Sequence, residues 1–87
     1  MADTALLAAV KTALGVTSDY MDATISLYID SVVDYMRGAG VSAELCAVSV
    51  GVVSRGVNDI WTGTAGGAEY SKQFYDMVSQ LVLRSRG

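Results

Sequence analysis

The sequence predicts an all-α protein, a compact bundle of about four helices. Three observations support this fold class: proline is absent, apolar residues recur every three to four positions, and glycines cluster between the apolar segments. Glycine clusters are natural breaks between helices, and here they are Gly15, the pair Gly38 and Gly40, and Gly63 with Gly66 and Gly67. With 87 residues the chain is long enough for one domain, which we expect to span residues 1–87.

These breaks and the apolar spacing predict the helix boundaries. The short first helix runs from about Asp3 to Leu14, and the long second helix starts after Thr17 or Ser18 and ends near Arg37. The long third helix follows Ser42 and continues to about Trp61. The C-terminal helix runs from about Glu69 to Arg84, which leaves residues 85–87 as a mobile tail.

The third segment is rich in valine, which by itself would favour a strand. We predict a helix because Cys46, Val50, Val53 and Val57 keep a helical period, and twenty residues is long for a strand. Two glycines inside this helix, Gly51 and Gly56, each weaken it by about 1 kcal/mol relative to alanine. Glycine usually occurs inside a helix, despite this cost, where a neighbouring backbone packs closely against it.

Composition excludes several classes of protein. The chain has nine acidic and six basic residues and a net charge of −3, which argues against a sequence-independent grip on DNA phosphates. It contains no histidine and one cysteine, so an internal disulfide and a cysteine-based zinc site are excluded. The longest uncharged run, residues 45–54, is too short to span a membrane, so we expect a soluble protein made in the cytoplasm without membrane contact.

Catalytic patterns are weak, and we expect neither an enzyme nor a cofactor. The acidic pairs Asp19/Asp22 and Asp30/Asp34 have helical spacing, and a solvated acidic face is the favoured interpretation. Cys46 lies on the core stripe, which predicts a small buried hydrophobe rather than a reactive thiol. The glycine-rich segment 62–68 lacks the ending of a phosphate loop and is interpreted as a mobile connector.

Several apolar residues lie off the core-facing stripes. One apolar face per helix would fill a bundle of this size, yet three of the four predicted helices carry additional large apolar side chains. Because aromatic residues are enriched in interface cores, we interpret these residues as a candidate subunit or partner interface. The alternative is that single exposed apolar residues are normal. The candidates are Tyr20, Leu27, Val48, Trp61, Tyr75, Val82 and Leu83.

The order of these features resembles a known family. The segment LLAAVKTALGV, residues 6–16, is similar to the opening of the small head–tail connector proteins of tailed bacteriophages. In that family a Thr/Ser/Asp-rich turn, a longer helix, a Gly-rich break, an apolar third helix and a last helix ending in Leu-Arg follow. Leu83 and Arg84 match that ending, and the resemblance covers nearly the whole chain.

The resemblance implies a structural protein of the virion. In this family about a dozen copies form a ring between the portal and the stopper or tail-completion proteins, and the ring extends the DNA channel. A ring needs a heterologous interface, in which one patch meets a different patch on the next copy. The family has neither enzymatic activity nor a cofactor, so the resemblance transfers no catalytic residues.

Roles for charged residues follow from that expectation. An acidic lining would let DNA pass without tight binding, and Asp30, Asp34 and Asp59 are the candidates. Arg84 and Arg86 could pair with acidic portal residues from a C-terminal end that orders on docking. Deleting residues 85–87 should then preserve the fold and weaken head attachment, while the segment 62–68 is the second expected contact region.

Three other functions remain open at this point. The chain could be a small helical binding module or regulator, similar to an antitoxin, that works as a dimer. A carboxylate-based hydrolase would need converging carboxylates with raised pKa values in a pocket, and a DNA-binding helix-turn-helix protein would need a basic recognition helix. The number of copies in the assembly separates the dimer from the ring.

Overall fold

The computed structural model describes residues 4–62 and 70–86, and within these ranges it contains five α-helices and no strand. The all-α prediction is confirmed, with one helix more than expected. None of the helices in these ranges is both long and apolar enough to cross a bilayer. The helices are α1 (Thr4–Leu14), α2 (Asp22–Ala39), α3 (Ala43–Val48), α4 (Val50–Trp61) and α5 (Lys72–Arg86).

Helix α1 ends where predicted, and charge holds its last turn to the start of α2. Gly15 follows the helix with a φ of 76°, a left-handed conformation that glycine adopts without strain. The Lys11 ammonium lies 3.1 Å from Asp19 Oδ1 and 2.6 Å from Asp22 Oδ1. The pair Asp19/Asp22 therefore binds a lysine of the same chain, while the Asp19 side chain remains solvated as its spacing predicts.

These ion pairs predict a loss of stability at alkaline pH. Hydrogen bonds to Asp22, and then to Asp19, raise the pKa of Lys11 above its ordinary value of 10.5. Because the folded state favours charged Lys11, this contribution is complete below pH 10.5 and is lost as the pH rises through the folded pKa. We expect Lys11→Met to lower the urea midpoint near neutral pH, and this deficit to shrink as the pH rises through the folded pKa of Lys11.

Lys72→Met is the matched control for this experiment. Lys72 is an exposed lysine of α5 and has no ion pair among the described residues, so its substitution should leave the midpoint nearly unchanged at every pH. A deficit of Lys11→Met that stays constant up to about pH 12 would contradict the assignment.

Helix α2 supplies one wall of the core. It starts at Asp22, later than predicted, because a turn in which the Asp22 N–H donates to the Asp19 carbonyl oxygen precedes it. It ends at Ala39, where Gly40 takes a φ of 111° and the Val41 N–H donates to the Met36 carbonyl oxygen. Its apolar stripe is fully buried at Ile25, Ile29, Val32 and Met36 and half-buried at Met21, just before the helix, and at Tyr28.

The predicted third helix is broken at Ser49. Ser49 has a φ of −90° and a ψ of 61°, so α3 and α4 are separate helices. Its N–H still donates to the Leu45 carbonyl oxygen and its carbonyl oxygen accepts from the Val53 N–H, so neither helix end loses these bonds. Val48, Val50 and Gly51 are weak helix formers, so an interruption of the helix here costs little free energy.

Helix α4 is central, as its apolar content predicts, and it packs against α1, α2 and α5. Gly56 is buried where α4 meets α2 and α5, and a Cβ atom at Gly56 would lie 2.7 Å from Phe74 Cε1 and 2.9 Å from the Val32 methyl groups. The close approach expected at Gly56 is thus confirmed, although side chains rather than a backbone make it. At Gly51 a Cβ atom would meet nothing within 4 Å, so the same expectation is wrong there.

Helix α5 is anchored at both ends by serines. The Ser71 hydroxyl accepts from the Phe74 N–H and caps the helix, which therefore starts at Lys72. At the other end the Ser42 N–H donates to Ser85 Oγ over 2.9 Å. Ser85 and Arg86 are helical, so the prediction of a mobile tail at 85–87 is wrong for these two residues, and deleting the segment would remove the partner of Ser42.

Candidate interaction surfaces

Five of the seven candidate interface residues are exposed in the single chain. The exposed fractions are 87% for Tyr20, 66% for Leu27 and 71% for Val48. Trp61 is 40% and Leu83 60% exposed. Because these residues come from α2, α3, α4 and α5 and from the turn before α2, the uncovered apolar surface is spread over the molecule. Their role as an interface remains a prediction.

Tyr75 and Val82, the other two candidates, are half-buried and pack against the core. The Tyr75 ring lies 6.1 Å from the Phe74 ring and 5.8 Å from the Tyr35 ring. Its hydroxyl accepts from the Tyr70 N–H over 3.0 Å. Tyr75 therefore stabilises the chain before any partner binds, and only its remaining exposed edge is available for contact.

Tyr35 contributes to this surface and is absent from the sequence-based candidates. It is 38% exposed and its ring packs 5.5 Å from Tyr70 and 5.7 Å from Phe74. Burial raises the pKa of the Tyr70 hydroxyl, with smaller contributions from Tyr75, Tyr35 and Asp59. Its helical position could have indicated this role, because Tyr35 lies at the margin of the apolar stripe of α2. Side chains at such a margin are partly buried and partly exposed.

An open groove of about 410 Å³ runs between the C-terminal halves of α2 and α5. We call it the α2–α5 groove. Tyr35 and Tyr75 form its aromatic part, and Arg86 places a positive charge on it. The apolar lining includes Val78, Val82 and Leu83.

A smaller groove of about 220 Å³ lies beside the end of α4 and is lined by Leu14, Val16 and Trp61 among others. The Trp61 ring meets Tyr28 edge to face at a centroid distance of 6.5 Å. Trp61 thus closes the bundle on one side and keeps exposed surface on the other. The predicted contact segment 62–68 continues from here, and all of it except Thr62 lies outside the described residues.

Asp59 is placed differently from the prediction that it lines a channel. It is only 2% exposed. One carboxylate oxygen accepts from the Ser71 N–H over 3.0 Å, and the other lies 3.6 Å from Arg55 Nε. Because these groups hold the carboxylate inside the fold, Asp59 links α4 to α5 and we remove it from the channel candidates.

The remaining charged candidates lie at the surface. On α2, Asp34 is exposed and Asp30 is half-buried. Arg84 and Arg86 are both exposed in the last turn of α5, a position that also suits the helix dipole. Only Arg86 lines the α2–α5 groove, so the two arginines serve different surfaces.

No metal-binding cluster is present among the described residues. They contain no group of three or more acidic or cysteine side chains that could hold a metal ion. Cys46 is buried as predicted, and burial raises the pKa of its thiol. The described residues do form exposed apolar surface, with a few charged side chains such as Arg86 beside it.

The described residues thus form a small all-α protein with uncovered apolar surface. Residues 4–85 match the family of phage gp6-like head-tail connector proteins, and the chain belongs to that family. No curated protein and no solved structure matches the chain. Membership confirms the resemblance seen in the sequence and makes the protein a structural component of the phage virion that acts in connecting head and tail.

Proposed function

We propose that copies of this chain form a ring that joins the portal to the stopper or tail-completion protein and extends the DNA channel. Family membership over residues 4–85 is the observation that carries this proposal. The exposed apolar residues support it, because a monomer gains nothing from leaving Leu27, Val48 and Leu83 in water. The host cytoplasm is where we expect synthesis to occur.

Two ends of α5 provide separate sites for the two neighbouring proteins. A helix of 15 residues is about 22 Å long, so its ends can contact different partners. Arg84 at the C-terminal end is our candidate for an acidic residue of the portal. The smaller groove beside Trp61 lies toward the N-terminal end, since Asp59 binds Ser71 there, and we assign it to the tail side.

The acidic balance of the chain fits a channel through which DNA moves. Lysine and arginine contacts to phosphates would retard DNA, whereas carboxylates do not bind it. Asp30 and Asp34 are the residues of α2 that we assign to the lining.

Native mass spectrometry tests the ring directly. We expect the purified chain, alone or with the portal of the same phage, to give assemblies of about a dozen copies, because closed rings repeat one heterologous contact. A mass of two copies would favour the alternative of a dimeric helical regulator. A monomer both alone and with the portal would overturn the ring.

The interface candidates can be tested in the same measurement. Leu27→Asp should abolish the assembled species, because a charge in an apolar contact remains unpaired. Ala13→Asp is a suitable control, since Ala13 is exposed on α1 and is not an interface candidate. Loss of assembly in both variants, or in neither, would contradict the placement of Leu27.

A further inference from the structure

One face of α2 is exposed and combines an apolar residue with an acidic one. Leu27, Ser31 and Asp34 follow the spacing i, i+4, i+7, so their side chains point the same way, and all three are exposed. We call these three residues the α2 outer face. Asp34 has no ion-pair partner among the described residues.

The α2–α5 groove has the complementary character. Leu83, 60% exposed, and Tyr35, 38% exposed, give it uncovered apolar surface. Arg86 lines the same groove and, like Asp34, lacks an ion-pair partner among the described residues. The groove thus offers an apolar floor with a positive charge, and the α2 outer face offers an apolar residue with a negative charge.

Geometry prevents the two surfaces from meeting within one chain. Asp34 and Tyr35 are adjacent in α2, so their side chains point about 100° apart around the helix axis. The outer face and the groove therefore occupy adjacent faces of one rigid chain, which cannot touch each other, and a second copy can bring them together.

Charge also selects how two copies meet. A twofold arrangement centred on one of these surfaces would place groove against groove, with Arg86 near Arg86, or outer face against outer face, with Asp34 near Asp34. Both arrangements bring like charges together. The carboxylate of one copy meets the guanidinium of another only where the outer face seats in the groove, and in the proposed ring this contact runs head to tail.

We infer that the α2 outer face of one copy seats in the α2–α5 groove of the next copy. Leu27 covers the exposed part of Leu83 and Tyr35, and Asp34 pairs with Arg86. This inference rests on the proposed ring and names the contact that builds it. It moves Asp34 out of the channel lining and Arg86 out of the portal contact, and Asp30 and Arg84 keep those roles.

Charge reversal tests the ion pair. We expect Asp34→Arg and Arg86→Asp each to raise the protein concentration for half-assembly at least about tenfold, since like charges then meet at the contact. The variant with both substitutions restores the ion pair with the two charges exchanged. Its concentration for half-assembly should be within about threefold of the wild-type value. Asp76→Arg is the control, because Asp76 is exposed on α5 and does not line the groove.

Mixed disulfide formation tests the apolar contact and its direction. Leu27→Cys and Leu83→Cys are prepared as separate proteins, and the buried Cys46 is replaced by serine in both. A disulfide requires Cα atoms about 4.4–6.8 Å apart, so we expect a crosslinked dimer in the mixture and none in either protein alone. A chain carrying both cysteines should give a ladder of higher oligomers, whereas a product that stops at two copies would establish a reciprocal twofold contact and overturn the head-to-tail inference.

The outcomes separate this contact from the ring itself. Wild-type protein could assemble while the cysteine mixture gives no crosslink and the charge-reversed double variant does not recover assembly. The proposed contact would then be wrong, and the ring would stand. Crosslinking within Leu27→Cys alone would establish a twofold contact and overturn the inference. If wild-type protein never assembles, alone or with the portal, both proposals fail.

Discussion

Replacing Gly56 with alanine is expected to destabilise the protein by about 2 kcal/mol and lower its melting temperature by roughly 10 °C. The added methyl group would lie 2.7 Å from Phe74 Cε1 and 2.9 Å from both methyl groups of Val32. Both neighbours are fully buried, so neither can move aside without disturbing the core. This strain exceeds the gain of about 1 kcal/mol that alanine brings to a helix interior.

Gly51→Ala is the matched control because it lies in the same helix. Its methyl group would meet nothing within 4 Å and its φ is not positive, so we expect a gain of about 0.5–1 kcal/mol. Urea denaturation of the two variants measures the difference. Equal effects at the two positions would disprove the packing of α4 against α2 and α5.

A second variant locates the strain. Val32→Ala opens space beside Gly56, so the variant with both substitutions should lose less stability than the sum of the two single variants. Strict additivity would show that Val32 does not contact this site.

Asp59→Ala is expected to cost about 3 kcal/mol of unfolding free energy. The substitution leaves the Ser71 N–H without its acceptor and Arg55 without its buried partner. Because Ser71 caps α5, the loss should also increase hydrogen exchange in the first turn of that helix. The measurements are urea denaturation and amide exchange of Phe74 and its neighbours.

Two controls separate the roles of the Asp59 carboxylate. Asp59→Asn keeps an acceptor for the Ser71 N–H and loses the charge, so it should cost about 1 kcal/mol. Asp76→Ala removes an exposed carboxylate from α5 and should change stability by less than about 0.5 kcal/mol. An Asp59→Ala variant as stable as Asp76→Ala would contradict the anchoring role.

The fold class was predictable because it depends on periodicity, which the sequence displays directly. The buried apolar residues of α2 recur at helical spacing, and Gly15 and Gly40 end their helices where the chain needs a positive φ. The break at Ser49 was not predictable in this way. It interrupts the helix without a proline or a positive φ, and the apolar period continues across it.

The candidate interaction surfaces were predictable only in part, because some of their residues depend on contacts between helices. Exposure of Leu27 and Leu83 follows from their helical positions. Asp59 was misplaced because its burial depends on Arg55 and Ser71, and the Ser71 contact joins two helices across a connecting segment. Tyr35 was overlooked because its exposed part borders a groove that exists only once α5 has packed beside α2.

The hydrogen bond between Ser42 and Ser85 affects how the C-terminal arginines act. It fixes the last turn of α5 to the beginning of α3, so Arg84 and Arg86 project from a backbone that is already ordered. A partner that binds them does not have to order a flexible backbone, so the entropic cost of binding is small. Changes to these arginines should therefore shorten the lifetime of a complex more than they slow its formation.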